Sequence, residues 1–164
     1  MKKAECESFP WGKKADKVDY GVMYESRYKL LKIAFERFLR AEPDDFEAFC
    51  EKEADWLSDY ALFMALKDAN DGNAWFSWEK DLKMRKPEAL AEARSTYAKD
   101  IRFYQMLQYL FFKQWWELKA YVNEKGIEII GDVPIYVAGD SADVWANPEA
   151  VSYTHLTLPT ICSV

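Results

Sequence analysis

The chain has 164 residues, half of them hydrophobic, with 28 acidic against 22 basic side chains and a formal charge of -6. This length suits one domain with a sizeable core, since such a chain buries about 70% of the surface it exposes when unfolded, and the apolar content excludes a disordered polymer. The acidic balance argues against a nucleic-acid partner, which would need a basic patch for the phosphate backbone.

Residues 1–18 mix Pro10, Gly12 and scattered lysines without periodicity and read as an irregular lead-in. The first helix is predicted from Tyr24 to Arg40, where Tyr28, Leu31, Phe35 and Phe38 recur at spacings of three and four while Lys29, Lys32, Glu36 and Arg37 lie off that stripe. Pro43 ends it, and Asp44 and Asp45 open a second helical stretch. That stretch sends Phe46, Phe49, Trp56, Leu57, Tyr60, Phe63, Met64 and Leu66 towards a core, and Asn70, Asp71 and Gly72 stop it. A short helical turn follows around "AWFSWEKDL". Lys86-Pro87 marks the next start, since proline is tolerated in a first helical turn.

From Pro87 to Asn123 the pattern stays helical. An unbroken helix there would be a rod of roughly 55 Å, so a break between Ser95 and Lys99 is expected. The second part, up to Asn123, is apolar or aromatic on most of its surface, as suits a helix buried on several sides. Gly126 fits the left-handed residue that closes it. "IEIIGDVPIYV", residues 127–137, then combines β-branched side chains with the length of a buried strand. One such strand needs neighbours for its backbone hydrogen bonds, so the chain reads as a slice of a larger α/β fold.

No apolar run approaches the roughly 20 residues of a membrane span, and the N-terminus lacks the apolar core of a signal peptide. These features predict a cytoplasmic protein with no membrane partner. Cys6, Cys50 and Cys162 are odd in number and widely spaced, which favours free thiols over disulfides or zinc. His155 is the only histidine. A serine or cysteine nucleophile paired with it would need the C-terminal tail folded over the site. No phosphate-cradling glycine pattern is present, so a nucleotide cofactor is not supported.

The polar residues after the predicted strand are the candidates for chemistry. Asp132 at the strand end either caps a turn or faces a ligand. Asp140 and Asp143, flanking Ser141, form either a carboxylate pair of the kind used in glycoside hydrolysis or, the favoured reading, a helix-capping arrangement. Trp145, in a polar loop, is the best of seven tryptophans for stacking on a sugar face. The pairs Trp75/Trp78 and Trp115/Trp116 read as core.

The run "GDVPIYVAGDSADVWANPE" resembles a signature of the amylomaltase, or 4-alpha-glucanotransferase, family of glycoside hydrolases. The segments "VDYGVMYESRYKLLKIAFERF", "WLSDYALFMALKDANDG", "WEKDLKMRKPEAL" and "FYQMLQYLFFKQWWELKAYVNEKGIEIIGD" agree with it in order and spacing. The resemblance implies a partial (β/α)8 barrel, predominantly helical, with one buried strand near 127–137. Its organisation would be a lead-in (1–18), a helical part (19–124), a barrel strand with its following loop (125–150) and a non-native tail (151–164).

It further implies an enzyme that breaks an α-1,4-glucan, holds the glycosyl group on an aspartate and passes it with retention to the 4-hydroxyl of an acceptor glucan, with no metal or organic cofactor. The ligand would be maltodextrin or another α-1,4-glucan. Asp132, Asp140, Ser141, Asp143 and Trp145 would line the glucan cleft. The family's three catalytic carboxylates come from later strands and a further family segment precedes Met1, so no catalytic residue is assigned and the chain is expected to be inactive alone. The competing reading is a non-catalytic carbohydrate-binding module.

Overall fold

A computed structural model describes residues 2–12, 16–132 and 136–150. The tail 151–164, with His155 and Cys162, lies outside the described residues, as do 133–135 within the predicted strand. The chain forms two compact units, Met1–Phe49 and Cys50–Val164. Among the described residues all regular structure is helical, and no helix is long and apolar enough to cross a membrane.

In the first unit the lead-in contains a short helix, α1 (Lys3–Glu7), where sequence reading expects none. The capping of Glu5 explains it, because the Glu5 carboxylate accepts the Lys2 backbone N–H at 2.7 Å. α2 runs Tyr20–Phe38, four residues earlier than its apolar stripe suggests, because Asp19 caps it by accepting the Val22 N–H at 3.1 Å. Arg37 near its end reaches back to Glu5, with Nη1 donating to Oε2 at 2.9 Å. The Ser26 hydroxyl, buried on α2, donates to the Pro10 carbonyl at 2.5 Å. Phe38 meets Phe46 edge-on with ring centroids 4.8 Å apart.

The expected single stretch after Pro43 is two helices, α3 (Phe46–Lys52) and α4 (Ala54–Ala69), separated at Glu53. Glu53 leaves the helical region (φ -98°, ψ 13°), and its carboxylate takes the Trp56 indole N–H at 2.8 Å. α4 is the centre of the second unit. Leu57, Ala61, Leu62, Phe63, Ala65 and Leu66 are all buried, a stripe too broad for a surface helix. It ends as predicted at Asn70, with Asp71 and Gly72 in left-handed backbone and the Gly72 N–H returned to the Lys67 carbonyl at 2.8 Å.

Around α4 are placed a 3-10 turn (Trp75–Ser77), α5 (Lys80–Lys83), α6 (Pro87–Thr96) and α7 (Ala98–Glu124). Pro87 stands at the start of α6, and the expected break falls at Tyr97 (φ -103°, ψ 21°). α7 buries Phe103, Tyr104, Met106 and Tyr109 in its first half. Gly126 closes it at φ 74°, where a side chain would be strained.

Two expectations are corrected. The described residues of 127–137 form no buried strand, and Ile127, Ile129, Ile130, Tyr136 and Val137 are exposed, Ile130 by 93%. A β-branched segment becomes a strand only when neighbouring strands complete its ladder, and the described part of this chain supplies none. The Trp115/Trp116 pair is not core either, since Trp116 is 52% exposed. By contrast Trp75 and Trp78 are buried in one cluster with Leu62, Phe63, Leu66, Leu90, Val144 and Trp145. Cys6 is a free thiol, and Cys50 enters no disulfide among the described residues.

Replacing Leu62, fully buried in that cluster, should cost about 2–5 kcal/mol as Leu62→Ala, read as a lowered urea midpoint at unchanged slope. In the first unit, the Arg37 guanidinium and then the Lys2 N–H hold the Glu5 carboxyl down to about 2 from its ordinary 4.5. A depressed folded pKa contributes stability that is complete above pH 4.5 and disappears as pH falls towards 2. A carboxyl carbon titration should place the Glu5 midpoint near 2 and return it towards 4.5 in Arg37→Met.

Candidate functional site

The candidate residues after the extended segment converge on a single turn, α8 (Ala142–Ala146), followed by a 3-10 turn (Pro148–Ala150). Five residues cannot hold a helix by propensity, so contacts from elsewhere must fix α8. Ser141 is its N-cap, with the hydroxyl accepting the Val144 N–H at 3.3 Å. Of the two readings of "DSAD", capping is therefore the one the structure shows for Ser141.

Asp140 does something else. Its carboxylate forms an ion pair with Lys67 of α4 and accepts the Trp75 backbone N–H at 3.2 Å. Lys67 also donates to the Asn73 carbonyl at 3.3 Å, and the Trp75 indole N–H goes to the Gly139 carbonyl at 2.8 Å. The loop entering α8 is thus tied to the end of α4 and the 3-10 turn by one charge pair and two further hydrogen bonds.

Trp145 completes the anchor from the other side. It is 1% exposed, with Phe63 5.9 Å and Trp78 5.7 Å away between ring centroids, and its indole N–H donates to the Leu82 carbonyl at 3.2 Å. The Arg85 guanidinium lies over the ring, 4.4 Å from its centroid. Arg85 has left-handed backbone (φ 52°) and gives Nη2 to Asp59 at 2.7 Å, while Arg94 takes the other Asp59 oxygen at 3.3 Å. Arg85 Nη1 is buried without a partner among the described residues. Trp145 therefore stands in the core on a helical turn, not in a polar loop as the sequence suggests, and its faces are taken by protein.

Asp143 points the other way and is exposed. With Asn147 of the same segment and Asp55, Trp56 and Tyr60 of α4 it lines a cleft of about 200 Å³. Burial pushes the Tyr60 phenol above its ordinary pKa, against a hydrogen bond to Gln108 that lowers it. Carboxylates and an amide beside an aromatic wall suit a ligand rich in hydroxyl donors. Among the described residues no group of three or more His, Cys, Asp or Glu could hold a metal ion.

The structure thus brings Asp140, Ser141 and Trp145 together as one anchored loop and turns Asp143 outward. Asp132 is exposed in the extended segment, separated in the chain by residues 133–135. Sequence reasoning missed Lys67, Asp59 and Arg85, whose partners lie 73, 26 and 60 positions away along the chain. No local pattern marks such pairs.

Three kinds of comparison place the chain among known proteins. The family model described as 4-alpha-glucanotransferase matches residues 2–156. The chain is 47% identical to the 4-alpha-glucanotransferase of Thermus thermophilus over 161 residues, covering 96% of this chain and 31% of the relative. Against the chloroplastic/amyloplastic 4-alpha-glucanotransferase of Solanum tuberosum it is 34% identical over 164 residues, covering 97% and 28%. The structure of amylomaltase from Streptococcus agalactiae in complex with acarbose superposes with a TM-score of 0.85 at 37% identity, covering 93% of this chain and 32% of that one. The chain spans about a third of the length of these relatives.

The anchor predicts unequal costs. Trp145→Ala should destabilise the second unit by about 3–5 kcal/mol, as removal of a buried indole does. Asp140→Asn, which leaves a half-buried Lys67 without its counter-ion, should cost roughly 1–2 kcal/mol. Chemical denaturation of both variants checks the order, and equal effects would show that the indole does not dominate.

Proposed function

The chain belongs to the 4-alpha-glucanotransferase family, and from that premise we propose that it is a portion of an enzyme that moves α-1,4-glucan segments onto the 4-hydroxyl of an acceptor glucan with retention of configuration. The observation that carries this reading is the joint match in sequence and shape: residues 2–156 fit the family model and 93% of the chain superposes on an amylomaltase. In this reading the chain forms part of a (β/α)8 barrel. The substrate is maltodextrin or a related α-1,4-glucan, no cofactor takes part, and the setting is the cytoplasm.

Retaining transfer needs a carboxylate nucleophile and a second carboxyl group as acid and then base. The resemblance assigns those groups to later strands, outside this chain, so the chain alone performs no transfer. Its share is placement. Asp132 and Asp143, both exposed, are the side chains proposed to reach the glucan. Asp140, Ser141 and Trp145 border the cleft as positioning residues, acting through the loop they hold. The burial of Trp145 also weakens the binding-module reading, which relied on that indole as a sugar platform.

Incubation of the chain alone with maltotriose should yield neither glucose nor longer dextrins, and sustained turnover would overturn its assignment as an incomplete enzyme. A chimera of the Thermus thermophilus relative, with its matching stretch exchanged for residues 2–149 of this chain, should disproportionate maltotriose. Asp143→Ala in that chimera should raise KM roughly 10–100-fold, the size of one lost hydrogen bond to a charged group, with kcat little changed. A folded chimera without transfer would contradict the proposed function.

A further inference from the structure

The second half of α7 and the segment after it are built for burial and are solvated. Phe111, Trp116, Leu118 and Tyr121 are each between 50% and 60% exposed, whereas Phe103, Tyr104, Met106 and Tyr109 one or two turns earlier are buried. Phe111 and Leu118 stand two helical turns apart on one face, with Tyr121 beside them, and Trp116 lies on the opposite face, so the helix is apolar on more than one side. Ile127, Ile129 and Ile130 continue the exposed apolar surface beyond Gly126. Among the described residues, the N–H and C=O groups of 128–131 enter no backbone hydrogen bond. Apolar side chains on several faces of a helix, running into an extended backbone with open hydrogen-bonding groups, describe a surface that receives both packing and a strand.

We propose that this surface, Phe111 to Ile130, is the docking face for the remaining two-thirds of a glucanotransferase chain, and that it takes that remainder when it is supplied as a separate polypeptide. The superposition at a TM-score of 0.85 on 32% of an amylomaltase, and the match to 31% of the Thermus thermophilus relative, show that the same architecture carries about twice as much further chain. A second copy of this chain is the weaker occupant, because its described residues include no strand to complete the ladder of 128–131. The inference rests on the family reading for the partner's identity, while the surface rests on exposure alone.

The test is co-expression of the full 164-residue chain with the Thermus thermophilus relative from which its 161 matching residues have been deleted. Native mass spectrometry should show a one-to-one complex, and amide exchange across 111–130 should slow on its formation. Phe111→Asp combined with Leu118→Asp, at positions 58% and 50% exposed where the isolated chain gives up little beyond the Phe111–Phe112 edge contact, should leave the helical circular dichroism little changed and weaken capture by at least about tenfold. If the remainder is insoluble alone, rescue into the soluble fraction by the wild-type chain but not by the variant supports the proposal.

Equal rescue or equal capture by both chains, no complex with either, or a homodimer of this chain in place of the complex would overturn it. Maltotriose turnover is read separately on the same complex. Assembly without transfer would count against the proposed function and leave the docking face standing. Absence of assembly beside an active chimera would do the reverse.

Discussion

One buried indole organises the segment that carries the candidate site residues. Trp145 lies among Phe63, Trp78 and Arg85 and gives its N–H to Leu82, which fixes a helical turn too short to persist by itself. Once it is seated, Ser141 is placed to cap, Asp140 is within reach of Lys67, and Asp143 is turned to the cleft beside Trp56 and Tyr60. Burying an aromatic of this size removes a large apolar area from water, and the polar contacts around it then fix the loop in one register rather than supplying most of the stability.

The division of labour within "GDSADVW" follows from that seat. Asp140 and Asp143, which the sequence offers as a carboxylate pair or, in the favoured reading, as helix caps, become one anchor and one outward group, because, of the two, Asp140 meets a cation and a backbone donor. The tryptophan that looks best suited to a sugar face is the one the protein keeps for itself. In the proposed function this loop serves as a rigid rim with exposed carboxylates, and rigidity in such a rim is what catalytic positioning requires.

Most of the helical framework was legible in the sequence because its signals are local: the Asn70-Asp71-Gly72 stop, Pro87 at a helix start, the break at Tyr97 and the closure at Gly126 each depend on a few adjacent residues. The errors lie where a partner decides the outcome. Ile127, Ile129 and Ile130 carry strand propensity, yet among the described residues no neighbouring strand uses it. Trp116 has the composition of core and stands in solvent. The Lys67–Asp140 pair spans 73 positions and Arg85 reaches Trp145 across 60, separations that periodicity cannot see. The family resemblance, carried by a contiguous signature, needed no such long-range information.

The loop bearing the candidate site residues is held by the helical unit of this chain itself. Amide hydrogen exchange on the isolated chain measures it directly, through the N–H groups of Val144, Trp145 and Asn147 and the Trp75 N–H that meets Asp140. Slow exchange at these positions, approaching that of α4 and far slower than at residues 128–131, is the predicted result. Exchange as fast as in that exposed segment would contradict the account.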